Sequence, residues 1–501
     1  MTAGALLQLK YATADRMAFL TLNPSISHFK NVYRKYTNFS MEYIEILPES
    51  GNKVLNFDND VDITFKIGRD GDLVKDMCIT LDLPDIYSTS AYSFQWISRL
   101  GEYLIKEVSV SIDNQTDIDK HYSEWFHIYS EMMIPYEKKY GYYDMIGNIK
   151  EYYDPANGAG CGGTYPGGDR INKRPSIVGR KIILPLHFWF NNNAFNSFPL
   201  IATQRMEFFI KIKLRKLKEV FTIINQSTGY RIQPTSSHYF GQFLYANDTS
   251  NSLNINIKME INYIFLDNDE RKRFALSNDI EYLIMQLQKI ESYNTGNSNN
   301  IKIDIKNINK PVTDLYFIIR RTDFEEANQW SNFTNWTDNI PPFRSAGYIN
   351  IFGPSPNITA SNIAIYKTPY ILKSAQILIE GQELTRGSIT NFDTDEKGQN
   401  GKDSFFYNYI QPYTLQNNIP NIGIYSYSFS LNKDNKLIQP NGCINMSSIQ
   451  SKMIIINTTN IDTTRNWLAY NSSYNYHIYV FAINYEIVKI LGGMFNIVTI
   501  N

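Results

Sequence analysis

Tyr263-Ile264-Phe265-Leu266-Asp267-Asn268-Asp269-Glu270-Arg271-Lys272-Arg273-Phe274-Ala275 decides how the chain is read. Ile255, Ile257, Met259, Ile261 and Tyr263 alternate on the way into it, the spacing of a strand with one buried face. At Asp267 the signals change. An Asp followed three residues on by Glu270 is the pattern of a helix N-cap with a capping box. Tyr282-Leu283-Ile284-Met285 then reads as a further strand. Strand, short capped helix and strand make a structural joint, with no catalytic geometry in it.

Outward from this joint the same alternation recurs. Val108, Val110 and Ile112 alternate with serines, Ile301, Ile303 and Ile305 with Lys and Asp, and Tyr425, Tyr427, Phe429 and Leu431 with serines. Many short strands without long helices between them indicate all-β sandwiches or barrels. Two helices are expected besides the one at Asp267. Asn23-Pro24 reads as N-cap and N1, followed by Phe29, Val32, Tyr33 and Tyr36. A second is expected from Asp119, with Tyr122, Trp125, Phe126, Tyr129, Met132 and Met133 as one apolar stripe. The stripe is expected to seal an end of the first sandwich; a ligand platform is the alternative. Residues 147–180, 323–370 and 386–403 read as long insertions, solvent-facing or capping. The polar stretch 218–254 reads as a connection between residues 26–217 and 255–501, after an arm at 1–25.

Composition narrows the function. The chain has 501 residues, 43% of them hydrophobic and only 19% charged, with 36 Tyr. That length suits about three domains or two large all-β ones. Net charge is −1 and pI about 6.6, whereas a protein that coats DNA by neutralising phosphates is strongly basic. No direct nucleic-acid binding is expected. Cys78, Cys161 and Cys443 are too few and scattered for a disulfide framework or a zinc site, which fits a reducing compartment. Met1–Leu20 has no basic segment followed by an apolar one, so no secretory signal is expected. The most apolar long window, Tyr476–Ile500, is broken by Asn484, Glu486 and Lys489, and no stretch has the ~18 apolar residues of a membrane span. A soluble, non-secreted protein is expected, with the sequons at Asn332 and Asn457 unmodified.

Several patterns approach catalytic or binding motifs and fall short. Gly158-Ala159-Gly160-Cys161-Gly162-Gly163 is Gly-rich, but Tyr152-Tyr153-Asp154-Pro155 precedes it where a dinucleotide loop needs a strand. Asp393-Thr394-Asp395-Glu396-Lys397-Gly398 begins like a calcium loop, yet Lys397 and Ser404 occupy ligand positions. His121 and His127 lack the i, i+4 spacing of a zinc helix; His28, His187, His238 and His477 are isolated. Ile210, Ile212 and Leu214 alternate with Lys211, Lys213 and Arg215. That cationic face is read as a solvated outer face discouraging edge pairing, with a stripe for an acidic partner as the alternative. Trp330, Trp336 and the many Tyr leave a carbohydrate-binding or glycan-degrading sandwich as a competing reading. No catalytic, cofactor-binding or metal-binding residue is assigned, and no enzyme activity is expected.

The motifs also resemble, in order, those of the major capsid proteins of nucleocytoplasmic large DNA viruses. The resemblance runs through Leu22-Asn23-Pro24, Phe29-Lys30-Asn31-Val32-Tyr33-Arg34, Leu104-Ile105-Lys106-Glu107-Val108, Leu184-Pro185-Leu186 and Phe198-Pro199-Leu200-Ile201-Ala202. It continues through the joint at Asp267, Tyr409-Ile410-Gln411-Pro412-Tyr413, Gln439-Pro440-Asn441-Gly442-Cys443 and Gly492-Gly493-Met494. It implies a double jelly roll, two eight-stranded antiparallel sandwiches in one chain. It further implies homotrimeric capsomers of pseudo-hexagonal outline tiling an icosahedral virion shell, assembly in the host cytoplasm, and minor capsid proteins as partners. Proximity to an internal membrane is left open, and no cofactor or small-molecule substrate is implied. Ala5-Leu6-Leu7-Gln8-Leu9 resembles the family's arm, which would reach under a neighbour. A minor or receptor-binding virion protein of the same fold is the other alternative.

Overall fold

The alternation leading to Tyr263 becomes the strand Lys258–Leu266. It pairs antiparallel with Phe39–Ile46 on one edge and Leu73–Asp82 on the other, and Lys181–Pro185 completes the sheet. The computed structural model describes residues 2–12, 22–30, 33–51, 53–113, 116–158, 160–161, 164–227, 231–277, 280–294, 298–335, 370–384, 405–431, 439–459 and 474–498.

A second sheet orders Ser50–Gly51, Val61–Ile67, Phe208–Leu214, Ile105–Ile112 and Thr116–Tyr122. Ile63, Phe65, Val108, Val110, Ile210 and Ile212 on it share one core with Met77, Ile79, Met259 and Ile261 of the first. The strand expected to open the second unit therefore belongs to the sheets of the first. Residues 218–254 are likewise no mere connection. Phe221–Asn225 pairs with Tyr92–Trp96, and Phe221, Ile223, Phe240, Phe243 and Leu253 are buried in the same core. A few aromatic anchors among many Ser, Thr and Asn suffice to fold that stretch back, because each buries a large apolar area.

The joint itself forms as a strand followed by the helix Asn268–Leu276. The Asp267 carboxylate accepts the Asn268 N–H at 2.7 Å. The capping-box contact from Glu270 is replaced by a different brace: Asp72 accepts both the Leu266 N–H at 2.9 Å and the Arg271 guanidinium at 2.7 Å. The helix buries none of its residues.

Beyond it lie two more antiparallel sheets. One orders Ile280–Tyr293, Tyr476–Leu491, Pro311–Arg321 and Ile424–Ser428; the other orders Asn300–Asp304, Lys452–Thr458, Leu372–Ile379 and Gln382–Glu383. Leu315, Phe317, Ile319, Ile478 and Val480 meet Ile301, Ile303, Ala375, Ile377, Ile454 and Ile456 between them. Every residue of Pro311–Arg321 is buried, as are the first eleven of Tyr476–Leu491. Successive side chains point to opposite faces, so this sheet is covered on both.

Two helix expectations are corrected. Residues 22–30 form bends and turns, with Asn23 at φ 52°; the first helix is Ala3–Ala12. Asp119 lies in the strand Thr116–Tyr122 and the helix begins only at Ser123. Asp119 is needed elsewhere: its carboxylate accepts the Leu287 N–H at 3.1 Å. The insertions are corrected too. Tyr152, Ala156 and Ile177 from 147–180, and Phe324 and Trp330 from 323–370, are core residues. Residues 336–369, including Trp336, and the insertion 386–403 with the calcium-like Asp393–Gly398 lie outside the described residues.

Candidate functional site

The helix Ser123–Met132 fills the space between the two sandwiches. Phe126 points into the first core. Trp125, Ile128 and Met132 pack on Tyr316, Ile318, Tyr479, Phe481 and Ile483 from the outer face of the second sandwich. The Trp125 ring lies 5.6 Å from Tyr316 and 6.0 Å from Phe481. The expected single stripe is thus two faces, one for each sandwich. That is why the helix buries nine of its ten residues.

Charges are built into this seam. Glu124 is buried, with its Oε1 3.4 Å from Arg320 and 3.8 Å from Arg215, and its Oε2 3.9 Å from Lys289. Burial alone would raise its carboxyl pKa. The Arg320, Lys289 and Arg215 charges outweigh burial and hold it at about 2. Aromatic faces and neutral acceptors take the remaining positive charge. Arg320 bonds the Tyr479 hydroxyl at 2.5 Å and the Trp330 carbonyl at 3.0 Å, and lies 3.9 Å over the Phe324 ring. Arg215 sits 3.9 Å over the Trp330 ring. Arg215 belongs to the first half and Arg320, Phe324 and Trp330 to the second, so the cluster ties the two together.

The other end of the helix is held by a second buried group. Arg99, in the left-handed region at φ 56°, pairs with Glu102 at 3.1 Å and with Glu131, and reaches the Tyr143 hydroxyl at 3.0 Å. Lys139 also pairs with Glu131, at 3.1 Å, and burial followed by Arg99 pushes its pKa down to about 8.

Histidines line the seam in neutral form. His127 accepts or donates at Tyr103 Oη, 2.9 Å away, and stacks on Phe333; burial, then Arg99, holds its pKa well below the ordinary value. His187 stacks on Tyr129 at 4.0 Å, and burial drives it to about 3. His477 lies between Tyr293 and Tyr479 and is lowered by burial to about 4.

Other sequence candidates resolve differently. The cationic strand Phe208–Leu214 is no edge; it is paired on both sides. Lys211 lies 3.8 Å from Asp117, Lys213 4.0 Å from Asp62 and Glu107, and Arg215 is in the seam. Its charges are answered across strands, not presented to a partner. Trp330 is buried, its indole N–H donating to the Glu219 carbonyl, so it is no carbohydrate platform. Asn332 is buried and accepts from Thr334. Among the described residues no three His, Cys, Asp or Glu are grouped as metal ligands, and no helix is long and apolar enough to cross a membrane. Glu124, Arg215, Lys289 and Arg320 escaped the sequence reading. One signal was available: Arg320-Arg321 directly follows an unbroken apolar run, Leu315–Ile319, where a charge has to be buried with a partner.

A second surface is of the opposite kind. Leu22, Ile26, Phe29, Tyr33 and Tyr36 are exposed, Phe29 by 99% and Tyr36 by 84%. They lead into Phe39–Ile46, where Phe39, Met41 and Tyr43 are also exposed. That strand pairs along one edge only. Leu6, Leu7 and Leu9 of the first helix extend the same character. A run of large apolar side chains in water marks a surface meant to be covered.

Residues 27–267 match the family described as major capsid protein N-terminus. Residues 270–496 match that described as large eukaryotic DNA virus major capsid protein. The chain belongs to this capsid protein family. The major capsid protein of Phaeocystis pouchetii virus is 28% identical, with 98% of both chains covered. That of Paramecium bursaria Chlorella virus 1 is also 28% identical, with 98% of both covered. In the quasi-atomic model of the PBCV-1 virus capsid, a chain superposes with a TM-score of 0.63 at 23% identity, covering 95% of this chain and 100% of that one. The Faustovirus major capsid protein gives 0.61 at 14% identity, with 97% and 96% covered. The two sandwiches are a double jelly roll. The family is structural, not enzymatic; this chain is a capsid protein of the virion that self-assembles into the shell.

Three outcomes follow for the seam. Trp125→Ala is expected to cost about 3–5 kcal/mol, read by denaturant unfolding, with loss of soluble protein and of particles together; a stable, fully assembling variant would show that the seam does not rely on it. Glu124→Gln leaves three cations facing one another and is expected to cost about 3–5 kcal/mol, part of it recovered by adding Arg320→Met. Acid is expected to destabilise the protein in two stages. His127, His187 and His477 have folded pKa values below the unfolded ~6.5, so the unfolded chain binds more protons. Stability is full above pH 6.5 and falls on acidification toward about 4 for His477 and about 3 for His187, by about 1.4 kcal/mol per pH unit for each histidine. Glu124, depressed to about 2, adds its loss only below ~4.5. Unfolding midpoints that stay level between pH 7 and 5 would contradict the neutral-histidine assignment.

Proposed function

We propose that this chain forms homotrimeric capsomers of pseudo-hexagonal outline that tile an icosahedral shell. The apolar segment 22–43 carries the reading. The two sandwiches are fastened to each other through the seam, so each chain offers two similar corners in fixed orientation. Three chains then give six such corners, which suits near-hexagonal packing. The exposed Phe29, Tyr33, Tyr36, Phe39, Met41 and Tyr43 are the aromatic-rich kind of surface that protein interfaces bury, and the unpaired edge of Phe39–Ile46 is available to a neighbour.

The jelly rolls divide at the helix Asn268–Leu276, the first running from about residue 39 to 266 and the second from 280 to 498. Support comes from strand pairing, since every strand up to Leu266 pairs with others before it and every strand from Ile280 with others after it. Residues before 39 form the arm, which lies against a neighbouring chain or a minor capsid protein. Assembly takes place in the host cytoplasm, and the near-neutral charge leaves the genome untouched.

Deleting residues 2–38 is expected to leave unfolding cooperative and the midpoint nearly unchanged, while the mass in solution falls from trimer to monomer or the trimers fail to form shells. Full-length, natively folded protein that stays monomeric at micromolar concentration would contradict the trimer. A deletion that assembles normally would remove the arm from the reading.

A further inference from the structure

Where the seam opens, it leaves a cleft of about 270 Å³. Trp125 and Tyr129 of the helix form one wall, His187 and Trp189 a second, and Met285 and Leu287 of the second sandwich the third. The walls already favour flat partners. His187 stacks face to face on Tyr129 (4.0 Å, 15°), and His121 on Phe188 (4.5 Å, 20°).

The polar groups at the cleft are acceptors. His121 is 4% exposed, and its Nε2 lies 3.2 Å from the Asp119 carboxylate. In the neutral ring that contact fixes the proton on Nε2 and leaves Nδ1 with a lone pair. Nδ1 is buried with no hydrogen-bond partner among the described residues. Asp314, also lining the cleft, is a buried carboxylate that accepts from the Thr313 hydroxyl at 2.8 Å and from Gln416 at 3.3 Å. Gln286 is occupied on both ends, donating to the Ile118 carbonyl and accepting from Lys310. An orphaned buried acceptor is costly to keep, and aromatic walls beside it reward a ring that brings a donor.

The geometry points to a small-molecule site here: the cleft takes a planar heteroaromatic compound with an N–H donor, which stacks among the rings and donates to His121 Nδ1. Because its walls come from both jelly rolls, such a ligand binds only while they are docked. It therefore stabilises the docked chain. The inference is independent of the trimer reading, since every wall belongs to one chain.

The test uses the full-length protein and two probes of the same shape, indole and benzofuran, titrated by ligand-observed NMR. Benzofuran has an oxygen where indole has its N–H. Indole is expected to bind about tenfold more tightly, the worth of one hydrogen bond to an otherwise unpaired buried group, and to raise the thermal midpoint. His121→Phe keeps a ring on Phe188 and removes Nδ1; it should bring indole down to the benzofuran affinity. Leu287→Trp, which fills the cleft from the second sandwich, should abolish binding of both. Each variant is checked for cooperative unfolding, and either one alone suffices. Equal affinity for the two probes, no detectable binding of indole, or indole binding unchanged in a folded variant overturns the site.

Discussion

A sheet in this protein is buried on both faces, and the rest of the molecule is arranged around that requirement. The strands Pro311–Arg321 and Tyr476–Leu491 give one set of side chains to their own sandwich and the other to the first jelly roll. Left alone, the second jelly roll would expose Tyr316, Ile318, Tyr479 and Phe481 to water. The helix Ser123–Met132 covers them, and it can do so only because its opposite face is anchored by Phe126 in the first core. Two sandwiches joined by a flexible connection would have left domain motion as the default. Here the apolar seam makes one body of them.

The charges in the seam set the orientation that apolar contact leaves loose. Hydrophobic burial is non-directional, whereas Glu124 has its cations at defined positions on separate strands: Arg215, Lys289 and Arg320. Desolvating four charges is expensive, and a buried pair is weak evidence for net stability. Its value lies in register. A shift of one jelly roll against the other would strand a guanidinium away from both its carboxylate and its aromatic face. A shell repeating one subunit many times needs that fixed geometry, because small angular errors accumulate across a lattice.

The periphery obeys the opposite logic. The segment from Leu22 to Tyr43 has large apolar side chains and little intramolecular cover. A rigid body with an apolar, one-sided arm is what self-assembly requires: the interior fixes shape, and the exposed segment supplies contact area that only a neighbour can bury. The acid sensitivity expected from neutral buried histidines belongs to the interior, so low pH loosens the subunit itself before it touches the arm.

Much of the architecture was legible in the sequence. Alternation at Ile255–Tyr263, Val108–Ile112 and Ile301–Ile305 names strands, because period two is a local property of a half-buried strand. The switch at Asp267 names the helix Asn268–Leu276, because capping is also local. Local signals failed where a distant partner decided the outcome. Asp119 has the look of a helix start, but its carboxylate is engaged by the Leu287 amide and it stays in a strand. Residues 218–254 have the composition of a connection, yet Phe221, Phe240 and Phe243 find the first core. Trp125 and Phe126 read as one stripe, and only the arrival of the second sheet separates them onto two faces. By itself, then, the sequence determined the sandwiches, their order and the family, since these rest on local periodicity and ordered motifs. Only the tertiary structure decided which strands share a sheet, where the chain divides and how Glu124 meets its three cations, because those depend on residues far apart in the chain packing in the same place.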